Sequence, residues 1–276
     1  MTHTWLITGA SSGFGHGLAR KLLARGDRVA ATIRRSGALD DLKALYGDRL
    51  WTAHLDVRDG AAVRATVERA FAELGRIDVL VSNAGYGVLG AAEEATDAQM
   101  HDVIDTNLVG SMVFIRAALP HLRAQGGGHI VQVSSEGGQI VYPGFSLYHA
   151  SKWGIEGFVE AVAQEVAPFG IKMTLVEPGP ARTNFGNAVV QTERLVAYAD
   201  TPADLVRRSA LDGSWVIAGD PDRMENAILA HAALEHPPLR LVLGGTSYDA
   251  IRSALTERVA ALDAQKDVAL STDSPA

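Results

Sequence analysis

The chain has 276 residues, 47% of them hydrophobic, with 25 Lys and Arg against 32 Asp and Glu for a formal charge of −7, and no cysteine. The length suits one α/β domain over residues 1–276 with a large core, while an acidic balance without a basic block speaks against nucleic acid as a partner. The missing cysteines exclude disulfides, thiolate nucleophiles and zinc-thiolate sites, and agree with an expected cytoplasmic location. The first 19 residues carry no Asp, Glu, Lys or Arg, but their apolar centre is only Trp5-Leu6-Ile7. That reads as a buried strand and not as a targeting segment. No later stretch reads as apolar over the length of a membrane span, so no membrane partner is expected.

Apolar runs predict strands at 4–8, 28–33, 50–55, 77–82, 129–133, 171–177 and 239–243. Between them the apolar period changes to that of helices. A glycine and serine loop at 9–15 opens the first helix, which Gly26-Asp27 stops. Further helices are predicted at 40–46 and at 61–74, the latter with Val63, Val67, Ala70, Phe71 and Leu74 on one face. Two helical segments follow at 98–105 and 107–125, then a long one from about Tyr148 to Phe169. Residues 183–216 show weak periodicity and read as a mobile lid with short helices. Asp220-Pro221 caps a helix to about Leu234, Ile251 to Leu262 marks a last one, and 263–276 reads as a frayed tail. Strands that are continuous apolar runs, alternating with helices, predict an α/β fold: a doubly wound parallel sheet of about seven strands with helices on both faces.

Two stretches carry chemistry. In Gly9-x-Ser11-Ser12-Gly13-Phe14-Gly15, glycines between a strand and a helix let the backbone approach a ligand, and the helix N-terminus offers free N–H groups to a phosphate. Further on, Ser134-Ser135 ends a strand, and Tyr148 and Lys152 stand four apart at the head of a helix. Positions i and i+4 share a helix face, so the phenol and the ammonium can address one small volume. A phenol moves protons poorly at neutral pH unless a cation stabilises its anion. Ser135 adds a hydroxyl for a carbonyl oxygen. The three make a candidate proton-transfer site.

These motifs, with Asp56-Val57, Asn83-Ala84-Gly85, Asn107, and Pro178-Gly179 with Ala181 and Thr183, stand in an order that resembles the short-chain dehydrogenase/reductase family over roughly residues 3–262. The resemblance implies a Rossmann-type fold and an oxidoreductase that moves a hydride between a nicotinamide and a carbonyl or secondary alcohol. It implies Tyr148 as the proton donor or acceptor and Lys152 as the cation that lowers its pKa and binds the nicotinamide ribose. Ser135, 13 residues before the tyrosine, holds the substrate oxygen, and Asn107 interrupts its helix and holds a water. Asp56 and Val57 border the adenine, Asn83, Ala84 and Gly85 line the cofactor, and Pro178, Gly179, Ala181 and Thr183 receive the carboxamide and pyrophosphate. A homodimer or homotetramer through the helices near 107–125 and 150–168 is the implied assembly.

This sequence departs from the family pattern in two places. Ile33 is followed by Arg34 and Arg35 where many members carry an acid for the ribose hydroxyls, and Ser82 precedes Asn83 where Asn is common. Arginine clamps a 2′-phosphate that an acid would repel, so NADP is expected over NAD. Tyr86, Gln139, Tyr142, Phe145 and Tyr198 are placed near the substrate pocket by position alone, and Arg182 reads as a solvated lid residue. The histidines show no pairing at helical spacing, so no metal site is read and His149 counts as structural. Trp153 and Trp215 read as packing residues. Two other classes remain open: a dinucleotide sensor without catalysis, and an isomerase or dehydratase that uses the cofactor transiently.

Overall fold

The computed structural model describes residues 2–274. Its main sheet has seven parallel strands in the order β3-β2-β1-β4-β6-β7-β9. They are β1 (Thr4–Ile7), β2 (Arg28–Ile33), β3 (Leu50–His54), β4 (Val79–Ser82), β6 (Gly128–Val133), β7 (Ile171–Pro178) and β9 (Arg240–Leu243). The remaining two, β5 (Val88–Leu89) and β8 (Val190–Gln191), pair with each other outside it. Strand order reverses between β1 and β4, and in such sheets ligands sit in the crevice beyond the carboxyl ends at that switch point.

Helices cover both faces. In chain order they are α1 (Gly13–Ala24), α2 (Asp40–Tyr46), α3 (Gly60–Leu74), α4 (Asp97–Ile104), α5 (Gly110–Ala124), α6 (Ser146–Val166), α7 (Phe185–Ala188), α8 (Pro202–Asp212), α9 (Pro221–Ala232), α10 (Gly245–Asp263) and α11 (Lys266–Ser271). The strand period of two sorts side chains between them. Trp5 and Ile7 join Leu18, Leu22 and Ile228 on one face, whereas Leu6 joins Val67, Phe114, Ile115 and Val159 on the other.

Four expectations need correction. The segments at 98–105 and 107–125 form one rod, α4 and α5 joined by a π turn over Asp105–Val109. By length and composition that rod, Asp97–Ala124, could cross a membrane, contrary to the sequence reading. It packs instead on the sheet beside α3 and α6, with Phe114, Ile115, Ala118 and Leu122 in the core. The stretch 183–216 holds the expected short helices, α7 and α8, and more contacts to the body than its weak periodicity suggested. Its β8 pairs with β5, and Arg207 of α8 is buried in an ion pair with buried Glu94. Beyond Asp263, where a frayed tail was expected, the chain carries the exposed helix α11; residues 275 and 276 lie outside the described residues.

Candidate active site

The carboxyl ends of β1, β4, β6 and β7 open into one cavity of about 660 Å³. Its floor begins with the loop after β1. Gly9 has φ +67°, and a Cβ there would stand 2.9 Å from Ala84 Cα, so only glycine fits. Ser11, Ser12, Gly13 and Phe14 follow on the wall, which puts the N-terminus of α1 against the cavity. Gly15 does not reach the wall; its missing side chain leaves room for the Asn83 amide, 2.5 Å from where a Cβ would be. Asn83 Nδ2 donates to the carbonyls of Thr8 (3.0 Å) and Gly9 (3.1 Å), and Thr8 Oγ1 accepts from Asn83 N and Ala84 N. The Asn83-Ala84-Gly85 stretch thus pins the glycine loop as well as lining the cavity.

At the far end, Arg34, Asp56 and Val57 line the cavity and Arg35 does not. Sequence reading missed Arg58, which lines it too and donates to Asp56 (2.8 Å) and Asp102 (2.7 Å). Hydrogen bonding from Arg58 holds the Asp56 carboxyl below its ordinary range, and Arg34 adds to this. On the opposite side Pro178, Gly179, Ala181 and Thr183 form the wall after β7.

Ser135, Tyr148 and Lys152 line the same cavity. Ser135 Oγ accepts from Gly137 N at 3.0 Å and keeps its own proton to donate, with the Tyr148 phenol within its reach. Burial pushes the Tyr148 phenol up to about 12, and the Ser135 hydroxyl works against that shift. Lys152 is buried, and desolvation brings its ammonium down to about 8, opposed by the Glu156 carboxylate. Its Nζ lies 5.5 Å from the Tyr148 ring centre and donates to the Val133 carbonyl at 3.0 Å. The ammonium therefore sits beside the tyrosine on the shared helix face, but its hydrogen bond goes to the strand, and in this structure burial outweighs any lowering of the phenol.

Asn107 does not line the cavity; it lies in the π turn and braces the site from behind. Its Oδ1 accepts from Tyr86 N (3.0 Å), and Nδ2 donates to Tyr86 O (2.8 Å) and Ser151 Oγ (3.1 Å). His149 holds the loop between Ser135 and α6. Its Nε2 accepts from Tyr142 N, so Nδ1 carries the proton and donates to Gly137 O at 2.9 Å. Burial lowers its pKa and keeps the ring neutral in that role.

Part of the cavity wall is aromatic. Phe145 and Tyr148 meet edge to face, Trp215 packs edge-on against Tyr142 with centroids 5.3 Å apart, and Phe185 lies against Tyr148. Trp215 therefore packs and also lines the cavity. Gln139 and Tyr198 do not line it: Gln139 turns to Glu177 and Tyr198 donates to Glu93. Arg182 donates to the carbonyls of Ile217 and Ala218, and Trp153 is exposed beneath the Arg258 guanidinium. The buried carboxylate Glu136, directly after Ser135, was not singled out from sequence; only its place in the motif could have marked it.

A family model described as short chain dehydrogenase matches residues 3–194. The chain is 39% identical over 249 residues to oxidoreductase BOA17 of Botryotinia fuckeliana, covering 88% of this chain and 89% of that protein. It is 36% identical over 246 residues to a 3-ketodihydrosphingosine reductase of Bacteroides thetaiotaomicron, with 87% of each covered. A crystal structure of a short-chain dehydrogenase from Streptomyces avermitilis superposes with a TM-score of 0.91 at 42% identity, over 99% of this chain and 100% of that one. With a seven-stranded parallel sheet, a glycine loop at its switch point and this degree of likeness, the chain belongs to the short-chain dehydrogenase/reductase family of oxidoreductases.

Proposed function

We propose that this protein is an NADP-dependent oxidoreductase that interconverts a carbonyl compound and a secondary alcohol. The observation that carries the reading is the presence of Ser135, Tyr148 and Lys152 on the wall of the cavity that the glycine loop opens. The fit to a dinucleotide rests on the cradle at Gly9 and on the α1 N-terminus at the wall, where phosphates find backbone donors. A bound reduced nicotinamide supplies the hydride. Gly9, Ser11, Ser12, Gly13 and Phe14 hold the pyrophosphate, Asp56 and Val57 flank the adenine, and the Pro178–Thr183 turn receives the carboxamide.

Tyr148 donates the proton in reduction and accepts it in oxidation. A phenol pushed up to about 12 is fully protonated at neutral pH, as a donor must be. Ser135 directs its free proton to the substrate oxygen as negative charge develops there. Lys152, mostly charged at neutral pH with a pKa of about 8, holds the ribose and supplies positive potential beside Tyr148. Asn107 is a positioning residue, since its side chain is committed to Tyr86 and Ser151. Arg34 on the rim favours a 2′-phosphate, and the Asp56 carboxylate beside it is already engaged by Arg58. Residues 183–216 act as the substrate lid. Self-association into a dimer or tetramer uses α5 and α6, where Val109 at the end of the π turn before α5 and Trp153 of α6 are exposed, and the working location is the cytoplasm. The relative named as a 3-ketodihydrosphingosine reductase supports a ketone as substrate.

The test is NADPH oxidation against a panel of ketones and aldehydes. Tyr148→Phe is expected to lower turnover by about 10²–10⁴-fold with NADPH affinity retained. Wild-type turnover in that variant excludes Tyr148 as the proton donor.

A further inference from the structure

Glu136 is 4% exposed and stands directly after Ser135 on the cavity wall. Its Oε1 accepts the Tyr142 hydroxyl at 2.8 Å. Among the described residues no Lys, Arg or His pairs with it, and no donor reaches Oε2 within hydrogen-bond distance. Oε2 lies toward the β7 wall, 3.2 Å from where a Cβ on Gly179 would stand, and the buried Ser247 hydroxyl, which makes no hydrogen bond, lies 1.8 Å from that same point. Tyr142 cannot supply the missing donor. Its hydroxyl proton goes to Glu136, and its backbone N–H goes to His149. The corner therefore presents a carboxylate oxygen and a phenol oxygen, both acceptors, a single residue away from the Ser135 hydroxyl. A buried carboxylate with one neutral donor is under-satisfied, and burial raises the cost of leaving it so. Beside Tyr142 the wall is aromatic: Trp215 packs on Tyr142 and Phe145 packs on Trp215.

We propose that Glu136 is a specificity-determining residue that receives an ammonium group carried on the carbon next to the reacting carbonyl. Resting on the function proposed above, this deepens it: the preferred substrates are α-amino ketones, or the matching vicinal amino alcohols, with an apolar body. Position sets the spacing. Glu136 lines the cavity with Ser135 and Tyr148, and its charge reaches the Tyr148 phenol, so a substrate oxygen held by Ser135 and Tyr148 puts its neighbouring carbon near Glu136. The apolar body occupies the aromatic wall. An α-carboxylate in this corner meets the Glu136 charge, so α-keto acids are disfavoured.

The experiment uses the full chain with NADPH and ketones that share one phenyl body: 2-aminoacetophenone bearing the amine on the methyl carbon, acetophenone, and benzoylformate. In parallel, binding of 2-amino-1-phenylethanol, 1-phenylethanol and mandelate to the NADP-loaded protein is measured by calorimetry. A charge-assisted hydrogen bond predicts about ten- to hundredfold preference for the amine over the unsubstituted compound in both kcat/KM and affinity, with the acid weakest. E136Q is expected to collapse that ratio to within about threefold. Tyr142→Phe, which keeps the carboxylate and removes its internal donor, is expected to keep or raise it. Equal handling of amine and unsubstituted compound by wild type, a ratio that survives E136Q, or an E136Q effect confined to NADPH affinity overturns the proposal. If amine-selective binding is present while no ketone is reduced, the Glu136 corner stands and the oxidoreductase reading falls. If ketones are reduced without amine preference, the oxidoreductase reading stands and the Glu136 corner falls.

Discussion

Lys152→Met tests the electrostatics of the site through stability instead of rate. Lys152 is buried, and desolvation lowers its ammonium from 10.5 to about 8. The folded state thus binds this proton less well than the unfolded chain. Below about pH 8 the ammonium is charged in both states and the folded protein bears the whole penalty. As pH rises from about 8 to 10.5 the folded state loses the proton first, and the penalty disappears. At roughly 1.4 kcal/mol per pKa unit, the full penalty is about 3 kcal/mol. Methionine matches the stem and carries no charge, but it gives up the bond to the Val133 carbonyl, which costs about 1 kcal/mol. The net expectation is a stabilisation of about 2 kcal/mol at pH 6–7, or a rise in Tm of roughly 5 °C for a chain of this size, together with loss of turnover. Thermal unfolding of both proteins without added cofactor, from pH 6 to 10, measures it. The stability difference should shrink as pH rises toward 10. A variant less stable than wild type at pH 7, or a difference independent of pH, refutes the argument that burial, opposed by Glu156, sets the state of this lysine.

Arg34→Asp is expected to lower NADPH affinity by about tenfold or more and to improve NADH binding, because an acid repels the 2′-phosphate and accepts from ribose hydroxyls; binding of both cofactors decides it, and equal or tighter NADH binding by wild type defeats the NADP assignment. In the lid, Arg207→Met leaves Glu94 buried without its cation, which costs about 3–5 kcal/mol. Hydrogen exchange at the Leu195 amide, which donates to Glu94, is then expected to speed up by about 10²-fold or more, with the β4 amides unaffected; unchanged exchange refutes the latch. Glu94 is held down to about 2 despite burial, by hydrogen bonds from Arg207, Leu195 and Ala91. Its contribution is therefore constant above about pH 4.5 and fades as pH falls toward 2, which lid proteolysis at graded pH reads.

Local rules made much of the fold legible. The apolar run 28–33 became β2 and the short segment 40–46 became α2 without a change of boundary, because each has its own pattern and flanking stops. Strands β5 and β8 were invisible, since two-residue strands have no period and exist only because residues 88–89 and 190–191 meet. Arg207 was hidden for a related reason: an arginine among charged neighbours reads as solvated until a partner such as Glu94 is brought to it. Gln139 and Tyr198 were placed near the substrate by distance along the chain, but their partners Glu177 and Glu93 draw them away. Glu136 gave no periodic signal, and its meaning depends on Tyr142 taking one oxygen and leaving the other.

The sequence alone determined the alternation of strand and helix, the glycines where backbone must come close, and the face shared by Tyr148 and Lys152, because these depend on residues a few positions apart. The tertiary structure decided which groups meet across the chain: Asn83 on the β1 loop, Arg58 on Asp102, Arg207 on Glu94, and the Lys152 ammonium on the Val133 carbonyl. It also decided the protonation states. A pKa is set by burial and by the charges nearby, and both come into being only when distant segments pack together.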